Sequence, residues 1–280
     1  MEVTVAQFLL GMVLSAAMGG LGYWRRALST SGVFGAFIIG SLVFGFGGWT
    51  WGLLLITFFV SSSWLSHYRR ADKVQVSEKF AKGSRRDLGQ TLANGGLAAI
   101  LAVVFARYPE PLLFAAFVGA ISTVNADTWA TELGVLSTVL PRSITTGQRV
   151  PPGTPGGVTR LGIWAAVAGA LLVGTMATLL VQVQSLLAGG GWGLQAISYP
   201  LLAVVGGFSG SLFDSLLGAT VQGVYFCDRC RKETERPVHH CGHPTRLLRG
   251  FTWLNNDVVN FLSSLVGAML AASLAWLIWR

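Results

Sequence analysis

The sequence predicts an all-α fold: a polytopic bundle of about eight membrane-spanning helices with both termini outside. Three observations carry this. The 280 residues are 52% hydrophobic and only 11% charged, where a soluble domain carries about 25% charged residues. The apolar runs are about twenty residues long and do not alternate, which suits helices crossing a core of about 30 Å rather than barrel strands of about ten residues. With eight spans drawn, 18 of the 20 Lys and Arg fall in loops on one side, which the positive-inside rule makes cytoplasmic. The net charge of +8 therefore reads as topology and not as a nucleic-acid surface.

The first span, 5–22, is preceded by MEVTV, which lacks a basic n-region, and is followed directly by Arg25 and Arg26. It reads as an uncleaved span and not as a signal peptide. The next 36 residues are too long for one crossing and split at Phe46-Gly47-Gly48 into 31–47 and 49–66. Gly32, Gly35, Gly40 and Gly45 suit close helix packing. With no buried charge, this first part reads as scaffold. The basic loop 67–87 contains VSEKFAKGSRRD, an amphipathic stretch suited to anionic headgroups.

Along the fourth span, 88–106, Arg86 or Asp87, Gln90 and Asn94 recur every three or four residues and form one polar face. The fifth, 111–136, contains GAISTVNADTWATELG. At 1.5 Å per residue, Asp127 lies roughly 24 Å from its outer end and Glu132 roughly 31 Å, in the cytoplasmic third. An ionised carboxylate there requires a partner, a metal or a wet cavity. Five residues turn a helix by about 140°, so Asp127 and Glu132 share a face only if the helix loosens near Asn125. The sixth span covers 161–187. In the seventh, 198–221, VGGFSGSLFDS aligns without a gap on VGAISTVNADT and puts Asp214 in register with Asp127. Gly207, Ser211, Asp214 and Gly218 line one face of it. The eighth, 253–279, presents Asn256, Asn260, Ser263 or Ser264 and Gly267 as a stripe, with Asp257 beside it.

Acids and amides on four helices thus reach one level, which is too much polarity for interhelical hydrogen bonding alone at about 0.6 kcal/mol each. All belong to a single membrane domain, 1–280, with cytoplasmic loops at 67–87, 137–160 and 222–252. In the second loop PRSITTGQRVPPGTPGGVTR offers Arg149 and the Gly153-Thr154 turn to a phosphate, although it is not a P-loop. The third holds all three cysteines in CDRCRKETERPVHHCGH. In a reducing compartment a disulfide is disfavoured. Cys227, Cys230 and Cys241, completed by His239, His240 or His243, have the spacing of a structural zinc site, and His239 is the expected fourth ligand.

Together, ANGG, NADTWATELG, PRSITTGQ with GTPGG, FDSLLGATVQ, the Cys/His loop and WLNNDVVN resemble an integral membrane protein family that includes plant phytyl-phosphate kinase and animal transmembrane protein 19. The resemblance covers nearly the whole chain. It implies a lipid kinase that adds a second phosphate to an isoprenyl monophosphate from a nucleoside triphosphate, CTP being the expected donor. That chemistry suits the residues. Asp127, Glu132, Asp214 and Asp257 are the expected catalytic acids, with Asp127, Asp214 and Asp257 holding Mg2+ and Glu132 turned toward the nucleotide or the basic loop. Arg85, Arg86, Gln90, Asn94, Asn125, Arg149, Gly153, Thr154, Asn256 and Asn260 are the expected binders of lipid phosphate and nucleotide. The expected location is the cytoplasmic membrane of a prokaryote, with the site facing the cytoplasm. The alternative is an ion- or proton-coupled transporter using the intramembrane carboxylates.

Overall fold

The computed structural model describes residues 4–69, 71–73 and 85–280. Among these, eight helices are long and apolar enough to span a membrane. They are α1 (Val5–Trp24), α2 (Thr30–Leu42, prolonged by a π-helical turn, Val43–Gly47), α3 (Trp49–His67), α4 (Leu88–Arg107), α5 (Pro111–Gly134), α6 (Arg160–Leu187), α7 (Tyr199–Thr220) and α8 (Asn256–Ile278). An even number of crossings places both chain ends on the same side. Most of the stretch 76–87, including Lys79 and Lys82, lies outside the described residues, as does Arg70.

Local chemistry sets the boundaries. Thr4, Ser29, Asp87, Thr159 and Asn255 each cap the helix that follows with a side-chain oxygen on a free backbone N–H. The long apolar run breaks at Gly48, whose φ of 82° is open to glycine and costly for other residues. The fifth and seventh helices end at Gly134 and Thr220, slightly short of the expected 136 and 221. The eighth starts at Asn256 and not 253, because Asn255 is its cap.

The bundle is organised around α5. In its most apolar stretch 72% of residues are buried, against 22–50% in the other seven spans. It packs on α6, α7 and α8. Gly119, Gly206 and Gly267 bring α5, α7 and α8 into backbone contact: a Cβ on Gly206 would lie 2.6 Å from Gly267 O, and one on Gly267 would lie 3.1 Å from Gly119 O. Gly119 and Gly206 are matched positions of the internal similarity, so the paired segments touch at this point. Toward one end of the bundle the interior is closed by Trp51, Phe114, Phe117, Ile121, Val173 and Leu202. Trp51 packs against Phe117 with ring centroids 4.3 Å apart and planes tilted by 41°.

The other end carries two small sheets that the all-helical reading does not include. Strands β1 (Arg142–Ser143) and β2 (Gly157–Val158) pair antiparallel and fold the second loop back on itself. Strands β3 (Val224–Cys227), β4 (Lys232–Thr234) and β5 (Arg246–Arg249) form a sheet in the order β4-β3-β5. The guanidinium of Arg249 donates to Gly218 O at 2.9 Å and Pro155 O at 3.5 Å. It thereby ties this sheet to the end of α7 and to the GTPGG turn.

Candidate functional site

A cavity of about 910 Å3 opens at the end of the bundle that carries the basic loops. Its walls come from α3 to α8 and its rim from both small sheets. Asp127 of α5 and Asp214 of α7 line it, as do Asp257, Asn256 and Asn260 of α8 and Gln90 and Asn94 of α4. The two aspartates in register are electrostatic neighbours. Ser211 Oγ donates to Asp127 Oδ1 across a long 3.4 Å. Asp214 Oδ2 and Asn94 Oδ1 are buried with no hydrogen-bond partner. Buried oxygens of this kind are rare unless something else meets them.

Glu132 also lines the cavity, although α5 runs unbroken past Asn125 to Gly134. The helix does not loosen; the cavity is wide enough to take residues from two faces. Glu132 is engaged: Lys73 Nζ lies 2.7 Å from Oε2 and Ser66 Oγ donates to Oε1 at 2.6 Å. Lys73 also donates to Leu65 O at 2.7 Å and is only 8% exposed. Glu132 therefore turns to the basic loop and holds its start against the bundle.

Several expected binding residues have other work. Asn125 is fully buried and off the cavity: its Oδ1 accepts from Ser61 Oγ (2.9 Å) and Ser62 Oγ (3.2 Å), and its Nδ2 donates to Gly169 O (2.7 Å). The depth of a polar residue is legible from sequence; which neighbour satisfies it is not. Arg85 donates to Leu28 O at 3.2 and 3.3 Å and lies over Tyr23, away from the cavity. Arg149 is exposed on the outer edge of its loop and is not in the lining. Gly153 and Thr154 do line it, but the Thr154 hydroxyl donates to Pro151 O at 2.8 Å, so that proton closes the turn. Gln90 completes a capping box with Asp87, accepting its N–H at 3.2 Å, and still lines the cavity. Arg86 lines it too, and its burial lowers its pKa to about 10, which leaves it charged at neutral pH.

The metal-type cluster is compact. The ligand atoms of Cys227, Cys230, His239 and Cys241 all lie within 4.8 Å of one another. Zn–S bonds of about 2.3 Å make a tetrahedron with edges of about 3.8 Å, and the sulfurs of Cys227 and Cys241 are 3.7 Å apart. Hydrogen bonds from the His243 backbone and the His239 ring lower the Cys241 thiol to about 6, whereas its bond to Cys241 pushes Cys230 up to about 11. The cluster can hold a metal ion. His240 and His243 are not among its four ligands.

Sequence reasoning missed the roof of the cavity. Gln222, Tyr225, Glu235, Arg236 and His240, in and around the metal-type loop, line it, and Gln222 Nε2 donates to Glu235 Oε1 at 2.9 Å. Lys73 and Ser66 were missed as well. None of these has a spacing signal; they arrive by tertiary contact.

Fold and cavity define a polytopic membrane protein with a polar site sunk into one end of its bundle. The chain matches the family described as Integral membrane protein DUF92 over residues 13–268 and belongs to it. It is similar to Protein PGR of Arabidopsis thaliana, 31% identical over 280 residues and covering 95% of each chain. It is also similar to the uncharacterized membrane protein MJ0933 of Methanocaldococcus jannaschii, 30% identical over 88% of this chain and 84% of the other. Protein VTE6, chloroplastic, of Arabidopsis thaliana is 29% identical over 87% of this chain and 64% of its own length. No solved structure matches.

Proposed function

We propose that this protein is a membrane-embedded phosphotransferase that converts an isoprenyl monophosphate of the phytyl type to its diphosphate, with CTP as the nucleoside triphosphate. The observation that carries this is the meeting of Asp127 and Asp214 with Asp257 and Asn94 in one cavity at the end of the bundle that carries the basic loops, with Asp214 Oδ2 and Asn94 Oδ1 buried and unpartnered. Membership of the family whose motifs the chain shares supports it.

The chemistry needs no strong base. A phosphate monoester has a second pKa of about 6, so the acceptor oxygen is already a nucleophile near neutral pH. It attacks the γ-phosphorus in line, the bond from that phosphorus to the β,γ-bridging oxygen breaks, and the nucleoside diphosphate leaves. The difficulty is repulsion between two polyanions. Arg86 at the mouth of α4 and Arg236 in the roof offset that charge, while Asn94, Asn256 and Asn260 orient phosphate oxygens. Carboxylates, amide oxygens and an orphaned Asp214 Oδ2 suit a hard divalent cation, so Asp127, Asp214 and Asp257 would hold Mg2+, which supplies charge neutralisation at the transferring phosphoryl group. The Cys227, Cys230, His239 and Cys241 set would hold a structural Zn2+ that keeps the roof folded. The setting proposed is a prokaryotic cytoplasmic membrane, with the cavity facing the cytoplasm.

The transporter alternative is less well supported, because the bundle beneath the cavity is filled by Trp51, Phe114, Phe117 and Ile121. The test is turnover by purified protein with Mg2+, labelled CTP or ATP, and phytyl, geranylgeranyl or farnesyl monophosphate. Diphosphate is the expected product. Its undiminished formation by Asp127→Asn and Asp214→Asn would sink the site, and ion or proton flux in liposomes without turnover would favour the carrier.

A further inference from the structure

A second cavity, of about 80 Å3, lies between α1, α2, α3 and α4. Its lining is aliphatic, aromatic or glycine apart from Ser15 and four polar residues at the α4 end, Arg86, Gln90, Thr91 and Asn94. Three of these four, Arg86, Gln90 and Asn94, also line the polar cavity. The two spaces therefore adjoin across these three side chains, apolar on one side and acidic on the other.

Arg86 is the cation at that junction. Its backbone is pinned to the α1–α2 turn, donating to Ala27 O and accepting from Ser29 N–H, both at 2.9 Å. Its guanidinium lies over Phe58, 5.3 Å from the ring centroid, and reaches Ser63 Oγ at 3.5 Å. Among the described residues it forms no ion pair; Glu132 is an electrostatic neighbour, but its oxygens are hydrogen-bonded to Lys73 and Ser66. A half-buried guanidinium in aromatic surroundings without an ion partner costs free energy that an incoming anion would return. Beside it, the Asn94 amide lines both spaces, where its Nδ2 can donate to a phosphate oxygen; its buried, unpartnered Oδ1 is an acceptor and suits a proton donor or a cation, not the anion.

We infer that this groove seats the head-proximal carbons of the acceptor lipid, with the lipid phosphate held at Arg86, Gln90 and Asn94 where groove and polar cavity join. The inference rests on the kinase reading for the identity of the lipid, an isoprenyl monophosphate. It makes the first hairpin, read from sequence as scaffold, one wall of the substrate site. A tail leaving the phosphate toward α1 and α3 keeps its carbons in hydrocarbon while the phosphate faces Asp127 and Asp214. The nucleotide is then left the opposite wall, formed by the Gly153-Thr154 turn and the β3-β4-β5 roof. The small volume holds a few carbons only, so the rest of the chain runs into lipid, and the groove reads the unsaturated, branched start of the tail rather than its length.

The test is photolabelling of the intact protein in lipid nanodiscs with a geranylgeranyl monophosphate analogue bearing a diazirine in its first isoprene units. Label is expected on the α1 and α3 peptides containing Ser15–Gly19 and Leu55–Phe59, displaced by excess geranylgeranyl monophosphate and not by geranylgeraniol. Arg86→Gln is expected to abolish that displacement. In kinetics, Ile56→Trp, which fills the groove, is expected to raise KM for the lipid about tenfold with kcat and nucleotide KM unchanged. Displaceable label confined to α6 or α7, or a monodisperse Ile56→Trp protein with unaltered lipid KM, overturns the inference. Binding is read separately from turnover. Displaceable label in the groove without diphosphate formation upholds the groove and overturns the kinase reading, whereas turnover with displaceable label elsewhere does the reverse.

Discussion

Asn125 and Asp127 are two residues apart on α5, and their surroundings differ in kind. Every polar atom of the Asn125 amide has a protein partner at 2.7–3.2 Å, on α3 and α6. Asp127 has one long contact, from Ser211 at 3.4 Å, and its counterpart Asp214 has a buried oxygen with none. A satisfied buried amide holds helices together; an unsatisfied buried carboxylate beside a cavity is stable only with something the chain does not supply. Glu132 stands between the two cases, lining the cavity yet spent on Lys73 and Ser66. Polarity at a given depth thus divides into glue and site according to whether the partners are protein.

The strongest way to break this division is to remove charge where protein partners are fewest. Asp127→Asn and Asp214→Asn should each lower diphosphate formation by about 10³-fold, about 4 kcal/mol of barrier, with no loss of thermal stability, measured as initial rates and unfolding midpoints on the same preparations. A matching fall in midpoint would put the aspartates with the glue. Next in size, Lys73→Met strands Glu132 in a partly buried site and should destabilise by about 3 kcal/mol. Adding Glu132→Gln should restore much of this, and the double-mutant cycle measures the coupling. Asn125→Leu should lower the midpoint by an amount equivalent to about 2 kcal/mol, because the buried Ser62 hydroxyl loses its acceptor and Ser61 and Gly169 O each lose one of their hydrogen bonds, while turnover per folded molecule stays within about twofold. The smallest effect belongs to Arg149→Ala, at an exposed position off the cavity, expected within about 0.5 kcal/mol in stability and unchanged in turnover. An Arg149 variant that loses activity would extend the site beyond the cavity wall.

The metal-type loop sharpens the comparison from another side, since its ligands partner one another. Cys227→Ser should lower bound zinc, read by metal analysis, and weaken nucleotide binding before lipid binding, because Tyr225, Arg236 and His240 line the roof. A variant that loses lipid binding first would contradict the assignment of walls.

How much was legible in advance follows from the range of the interactions. Span positions, the break at Gly48 and the common depth of Asp127 and Asp214 depend on hydropathy, helical rise and backbone conformation, all properties of the local chain. The sequence by itself therefore determined the eight-helix membrane fold, the end of the bundle where polar groups gather and the loop that holds the three cysteines, while the folded loop is what sets His239, rather than His240 or His243, beside them. Tertiary structure alone decided which of those polar groups face the cavity. Asn125 was withdrawn by Ser61, Ser62 and Gly169, Arg85 by Leu28 O, and Glu132 by Lys73. It also brought the roof strands over the site and set the apolar groove and the acidic cavity against the same three residues, Arg86, Gln90 and Asn94. A hydrogen bond forms only within about 3 Å, and no periodicity in the sequence specifies which of two residues more than forty positions apart come that close.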